Sequence, residues 1–215
     1  MKVSIIGGGP AGLYFACMIK SVKPESNVTV FEARNESVNS FGLGYTLQKL
    51  NRTLLQKLDQ DFFTELFSNE TTPLITKALF KTDNDSRIFD FPEGYSVTRF
   101  NLMRYLRELA LSRGVTIKEK KVTLSHIKRL QRTSDLLVGA DGINSVVRSH
   151  FSPQLITHTR STKLRFSWFV NETPQTRTEA CFYAFRAPEG VILFTSYPLT
   201  DTKQVVIIEM TNKCL

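Results

Sequence analysis

The chain has 215 residues, of which 41% are apolar and 22% are charged, and its formal net charge is +8. This composition predicts an ordinary globular protein of one large domain, or of one domain with part of a second, and it excludes fibrous and wholly disordered proteins. No run approaches the roughly 18 uninterrupted apolar residues of a membrane-spanning helix. The basic excess favours anionic ligands such as phosphates, coenzymes or nucleic acid, without choosing among them.

The first thirty residues predict a βαβ unit. Residues 2–6 are short, apolar and β-branched, which is typical of a buried strand, and glycines follow them directly. Residues 11–20 carry apolar and small side chains at helical spacing, and residues 27–32 read as a second strand. Cys17 falls in the apolar helical pattern and is predicted to be inert core.

The middle of the chain is predicted to alternate loops, helices and short strands. In chain order these are an extended loop over 33–47, one amphipathic helix over 48–67, a hairpin of 74–81 with 87–91, a helix over 101–113, and strands at 115–117 and 135–138. The helix over 48–67 is predicted from apolar residues that recur every four positions, beginning with Leu50, Leu54 and Leu58.

Strand-like segments without helices fill the rest of the chain, which predicts antiparallel pairing. They cover residues 163–170, 179–186, 191–197 and 204–210. The predicted fold class is therefore α/β, with a Rossmann-like dinucleotide-binding domain (1–72 and 97–150) and a mixed or antiparallel sheet domain (73–96 and 151–215).

A glycine motif carries the strongest functional signal. Gly7, Gly9 and Gly12 follow a strand and open a helix, a spacing that suits a tight turn, backbone approach to a pyrophosphate and close helix packing. Glu32 ends the next strand, where a carboxylate accepts hydrogen bonds from the ribose hydroxyls of an adenosine. This combination predicts dinucleotide binding, and Glu32 disfavours a 2′-phosphate at the same place.

Other polar clusters have structural interpretations. The basic residues between Lys118 and Arg132 lie in a predicted strand-and-turn region without aromatic residues, so a solvated face is favoured over nucleic-acid binding, with a coenzyme A phosphate as a further alternative. Ser145 is predicted to cap a helix. The histidines show no metal-ligand spacing, and no metal site is predicted.

Three further runs make the sequence recognisable. They are Phe31-Glu32-Ala33-Arg34, Arg99 with leucines at helical spacing after it, and Gly139-Ala140-Asp141-Gly142 continuing to Arg148. Together with the glycine motif, the chain resembles the FAD-dependent aromatic hydroxylases of the p-hydroxybenzoate hydroxylase fold. It looks most like the branches that include salicylyl-CoA 5-hydroxylase and kynurenine 3-monooxygenase.

The resemblance implies a role for each matching residue. The residues of the glycine turn would hold the FAD pyrophosphate; they are Gly7, Gly9, Pro10, Ala11 and Gly12. Glu32 and Ala33 would lie at the adenosine ribose, with Arg34 beside them. Arg99, and less certainly Arg104, would reach the phosphate or ribityl region, and Asp141 would bind the ribityl chain. The implied activity is an NAD(P)H-dependent monooxygenation, in which a flavin hydroperoxide hydroxylates an aromatic acid or its CoA thioester. No residue is implied as a catalytic acid or base.

The family's later Gly-Asp motif is not found, and the chain ends within the expected substrate sheet. We therefore expect the N-terminal portion of such an enzyme, with a cytoplasmic location and no nucleic-acid or membrane partner. A missing C-terminal half or a second chain would complete the flavin site. Two alternatives stay open: a non-catalytic or split dinucleotide-binding module, and a simple NAD(P)-linked reductase.

Overall fold

The computed structural model of the chain describes residues 1–35, 43–68, 74–154, 164–172 and 178–211. Their elements are, in chain order, β1 (Lys2–Ile6), α1 (Pro10–Val22), β2 (Asn27–Glu32), β3 (Gly44–Gln48), α2 (Lys49–Leu58), α3 (Gln60–Ser68), β4 (Leu74–Thr82), β5 (Ser86–Thr98), α4 (Arg99–Ser112), β6 (Thr116–Glu119), α5 (Leu124–Thr133), β7 (Leu136–Gly139), α6 (Val146–Phe151), a 3₁₀ turn (Ser152–Gln154), β8 (Leu164–Glu172), β9 (Ala180–Ala187), β10 (Gly190–Pro198) and β11 (Lys203–Thr211). They form two compact units, the first within Met1–Phe41 and Phe100–Thr159 and the second within Gly42–Arg99 and Arg160–Leu215.

The first unit contains a parallel sheet in the order β6-β2-β1-β7. Val3 and Ile5 on β1 are fully buried and Ser4 is nearly so, because this central strand is covered on both faces. Helix α1 buries Gly12, Leu13, Ala16 and Cys17, which confirms the predicted βαβ unit and the core position of Cys17. Since parallel strands end at the same edge, the segments after β1, β2 and β7 meet there.

Helix α5 corrects the prediction of strand and turn for the whole basic segment. Strand β6 ends at Glu119, and α5 begins after Thr123, whose backbone N–H donates to Nδ1 of His126 at 3.1 Å. Ile127 and Leu130 of α5 pack with Val122, Ile6 and Val147 in one buried cluster. Leu124, Ile127 and Leu130 recur every third residue, so the sequence does contain a helical period, which the interpretation of the segment as basic strand and turn passed over.

The second unit contains a mixed sheet in the order β3-β5-β4-β9-β10-β11-β8. The neighbouring strands are antiparallel except for the parallel pair β4 and β9. The predicted hairpin of β4 and β5 and the predicted antiparallel pairing of the last strands are both confirmed. The predicted α/β class, a parallel sheet followed by a mixed sheet, is confirmed as well.

Residues 43–68 differ from their prediction in three ways. Residues 44–47, placed in a loop, and residue 48, placed in the helix, form β3, whereas 36–42 lie outside the described residues. The single predicted helix is two helices, because Asp59 adopts an extended conformation between them, and Leu50 of the predicted apolar face is 70% exposed. This segment was assigned to the dinucleotide-binding domain, but it lies in the second unit because β3 pairs with β5.

Candidate cofactor site

The turn after β1 requires glycine at its first position. Gly7 has φ of +105°, a conformation that side chains rarely adopt, and its N–H donates to the Phe31 carbonyl at 2.8 Å. A Cβ added to Gly7 would lie 2.2 Å from the carbonyl oxygen of Ala140 and 2.8 Å from the backbone nitrogen of Asp141. The ends of β1, β2 and β7 are therefore in direct contact at this turn.

Gly12 allows helix α1 to approach the same turn. A Cβ on Gly12 would lie 2.0 Å from the carbonyl oxygen of Gly7, a distance that no packed side chain tolerates. At both Gly7 and Gly12, a nearby backbone oxygen of the protein itself leaves no room for a side chain, so glycine is required there.

Gly9 differs from these two glycines. Its backbone is ordinary, with φ of −74° and ψ of −179°, and apart from its chain neighbours no atom of the described residues lies within 4 Å of an added Cβ. Gly9 is the N-cap of α1, no side chain caps the helix, and its first turn contains no acidic residue. Pro10 at the first helical position has no N–H, and the N–H groups of Ala11 and Gly12 have no acceptor within the helix. The helix therefore presents donors and its positive dipole end to open space.

Glu32 lies beside this turn and is held by two backbone donors. Its Oε2 accepts the N–H of Gly8 at 2.7 Å, and its Oε1 accepts the N–H of Arg34 at 2.9 Å. Ala33 and Arg34 are exposed. Because each carboxylate oxygen has two lone pairs, Glu32 keeps an acceptor position on each oxygen.

Asp141 has a structural role that the sequence did not predict. Its Oδ1 accepts the Ser145 hydroxyl, and its Oδ2 accepts the N–H groups of Val146 at 2.7 Å and Val147 at 3.3 Å. The hydroxyl of Ser145 accepts the N–H of Arg148 at 2.9 Å, which confirms the predicted cap. Asp141 therefore fixes the start of α6 against the end of β7, and one acceptor position remains on its carboxylate.

Asp141→Ala is expected to destabilise the chain by about 1–2 kcal/mol, because it leaves the first N–H groups of α6 without an acceptor. Urea unfolding measures the change, with Asp141→Asn as the matched variant that keeps one oxygen acceptor and loses less. Equal stability of Asp141→Ala and the parent chain would contradict the capping role.

Two arginines were predicted to reach the phosphate or ribityl region of the cofactor. Arg99 is the first residue of α4 and belongs to the second unit, whereas the rest of α4 belongs to the first unit. The Arg99 guanidinium donates to the hydroxyl of Tyr45. Beside it, burial and secondarily Tyr45 raise the pKa of Tyr197, whose hydroxyl donates to the Gly44 carbonyl at 3.4 Å. Arg104 lies in the first unit over the ring of Tyr105, and its buried Nε has no hydrogen-bond partner among the described residues.

The structure brings most predicted site residues of the first unit to one edge of the parallel sheet. Gly7, Gly12 and Asp141 meet through their backbones, and Glu32 joins them through Gly8. Sequence reasoning missed Gly8, which donates to Glu32, and Ala140, which contacts the turn at Gly7. Their signal was present in the run of three glycines and in the small residue before Asp141.

Comparison with family models gave no match. Among curated proteins, the chain is 27% identical to a salicyloyl-CoA 5-hydroxylase of a Streptomyces species, over 97% of the chain and 39% of that protein. It is 23% identical to protodeoxyviolaceinate monooxygenase of Chromobacterium violaceum, over 99% of the chain and 56% of that protein. It is also 23% identical to a 3-hydroxy-4-methyl-anthranilyl-[aryl-carrier protein] 5-monooxygenase of Streptosporangium sibiricum, over 97% of the chain and 57% of that protein.

Solved structures also match nearly the whole chain. PqsL, described as a probable FAD-dependent monooxygenase from Pseudomonas aeruginosa, matches with a TM-score of 0.73 at 17% identity, over 98% of the chain and 60% of PqsL. CtdE in complex with FAD matches with a TM-score of 0.70 at 15% identity, over 99% of the chain and 59% of CtdE. The chain therefore spans about two to three fifths of the length of the proteins it matches.

These comparisons confirm the predicted resemblance. The described residues have the fold of FAD-dependent hydroxylases, and the chain is similar in sequence to aromatic monooxygenases. None of the described helices is long and apolar enough to cross a membrane.

Proposed function

We propose that the chain is the FAD-binding portion, with part of the substrate sheet, of an FAD-dependent monooxygenase that hydroxylates an aromatic substrate with NAD(P)H as reductant. The observation that supports it most is the contrast among the glycines. Gly7 and Gly12 are required by the protein itself, whereas Gly9 faces open space at an uncapped helix N-terminus. A glycine that no neighbouring atom requires is explained by a ligand that approaches the backbone there.

The described residues fit a dinucleotide at this edge. The free N–H groups of Ala11 and Gly12 and the dipole of α1 suit a pyrophosphate, and the acceptor positions left on Glu32 suit ribose hydroxyls. Asp141 keeps one acceptor position for the ribityl chain. The buried, unpartnered Nε of Arg104 is a donor suited to an anion, and Arg99 is proposed as a further cofactor contact from the resemblance.

When bound, FAD would supply the redox chemistry, taking electrons from NAD(P)H and activating oxygen for transfer to the ring. The chain's own residues would bind and orient the cofactor and supply charge. We assign no catalytic acid or base, because each described titratable side chain beside the glycine turn already has a structural explanation.

The names of the relatives support an aromatic substrate. One relative is named for a salicyloyl-CoA thioester, one for an anthranilyl group on an aryl-carrier protein, and one for protodeoxyviolaceinate. We propose an aromatic acid, or its thioester on a carrier, as the substrate class for this chain.

A second candidate is an FAD-binding module that needs further protein to act. Phe166 and Trp168 on the edge strand β8 are 69% and 48% exposed, so this part of the sheet is incompletely covered by the described residues. Turnover by the chain alone would contradict this candidate, whereas turnover only with an added segment or chain would support it.

The visible absorption spectrum tests FAD binding directly. We expect the purified chain, mixed with FAD and passed through gel filtration, to retain a flavin spectrum. Glu32→Ala should weaken FAD binding by about tenfold or more, because it removes the ribose acceptor and the hydrogen bond that Glu32 accepts from the Gly8 N–H. Glu32→Gln, which keeps one oxygen acceptor, should lose less.

Nicotinamide cofactors provide the control for the same site. Tighter binding of NAD than of FAD, with the same sensitivity to Glu32→Ala, would contradict the proposal and favour an NAD-linked reductase. A folded chain that binds neither cofactor would contradict the proposal that this chain contains a complete binding site.

A further inference from the structure

The positive charge of this protein is concentrated in one unit. The described residues of the first unit contain 14 lysines and arginines against 6 aspartates and glutamates, whereas those of the second unit contain 10 against 12. The first unit therefore carries a charge equal to the +8 of the whole chain. A charge excess restricted to one unit is a property of a surface rather than of overall composition.

Six cations at the end of β6 and on α5 make up much of this excess, and we call them the basic stripe. All six are exposed, and none forms an ion pair with another described residue; they are Lys118, Lys120, Lys121, Lys128, Arg129 and Arg132. Glu119 is the one acidic residue in this segment. The second unit behaves differently, with pairs such as Arg52–Glu93 and Lys203–Glu172.

The basic stripe is displayed on a fixed scaffold. Ile127 and Leu130 anchor the inner face of α5 in the core, and Val122 anchors the segment that leads into it. Lys128, Arg129 and Arg132 are spaced to lie together on the outer surface of the helix. Like charges held this close repel each other, and an acidic partner bound to them would relieve that repulsion.

The shape of the stripe selects among anionic ligands. A ten-residue helix is about 15 Å long, and the stripe extends along it and along the segment before it, which suits an extended partner better than a compact phosphate. No aromatic residue occurs from Thr116 to Thr133, so base stacking with single-stranded nucleic acid has no support. Leu124 at the start of α5 is 47% exposed and adds an apolar contact of the kind that protein interfaces use.

We propose that the basic stripe docks an acidic carrier protein that presents the aromatic substrate as a thioester. This inference rests on the proposed function, since the substrate class comes from there, and it adds the partner and its docking surface. Complementary charge over an extended surface accelerates encounter and orients the partner, and rim charges change the association rate most. The thioester-bearing arm then delivers the aromatic group.

The test measures association of the full chain with an acidic aryl-carrier protein charged with salicylate, by biolayer interferometry at low and physiological salt. Lys128→Gln, Arg129→Gln and Arg132→Gln together should weaken binding about tenfold at low salt, mainly through the association rate. The matched control changes three exposed lysines outside the stripe, Lys23, Lys49 and Lys57, to Gln and should leave binding nearly unchanged.

Equal weakening by the two triple variants, or no binding of the carrier protein by the parent chain, would overturn the proposal. So would equally tight binding of an unrelated protein of similar negative charge, of free coenzyme A, or of single-stranded DNA. Circular dichroism verifies that both triple variants are folded. Because the assay needs neither flavin nor turnover, its failure leaves the proposed monooxygenase function separately testable.

Discussion

Gly9→Ala is expected to abolish flavin retention while leaving the folded state intact. A methyl group at residue 9 meets no atom of the described residues beyond its chain neighbours within 4 Å, and its extended backbone conformation suits alanine. We therefore expect a stability loss of at most about 1 kcal/mol, the usual cost of alanine in place of glycine at a helix N-cap. The same methyl group occupies the space in which a pyrophosphate would approach the N-terminus of α1. We expect the affinity for FAD to fall at least tenfold, or about 1.4 kcal/mol.

Flavin fluorescence titration measures the affinity, and urea unfolding of the same samples measures stability. A Gly9→Ala chain that binds FAD as tightly as the parent chain would remove the main support for a ligand at this turn. A loss of affinity together with a stability loss well beyond about 1 kcal/mol would mean that Gly9 has a structural role beyond its N-cap position.

Gly7→Ala should have the opposite effect and destabilise the chain strongly. Alanine at φ of +105° is strained, and its methyl group would lie 2.2 Å from the Ala140 carbonyl oxygen, a backbone atom held at the end of β7. Both the interior strand β1 and its neighbour β7 would have to shift. We expect the free energy of unfolding to fall by about 3–4 kcal/mol.

The comparison of Gly7→Ala with Gly9→Ala by urea unfolding is internally controlled, since both substitutions add one methyl group within the same turn. Similar stability of the two variants would show that the contact between the β1 turn and Ala140 is looser than the structure indicates. Gly12→Ala should resemble Gly7→Ala, because its methyl group would meet the Gly7 carbonyl oxygen.

Short-range pattern was sufficient for much of this fold. The strand–glycine–helix–strand order was predictable because each element depends on neighbours within a few residues, as with the buried β1 and the helix that Pro10 begins. The hairpin of β4 and β5 was predictable because turn residues mark it. The single helix over 48–67 was wrong, since the break at Asp59 carries no glycine or proline to announce it.

Amino-acid order alone determined the α/β class, the motif residues Gly7, Gly9, Gly12 and Glu32, and the capping role of Ser145, because each follows from local spacing. Only the tertiary structure decided that the protein itself leaves no room for a side chain at Gly7, since that depends on Ala140, which is more than a hundred residues away in the chain. Likewise, the capping role of Asp141 depends on how β7 meets α6, and the place of β3 in the second unit depends on its pairing with β5. Contacts between distant segments set these features, and local pattern does not encode them.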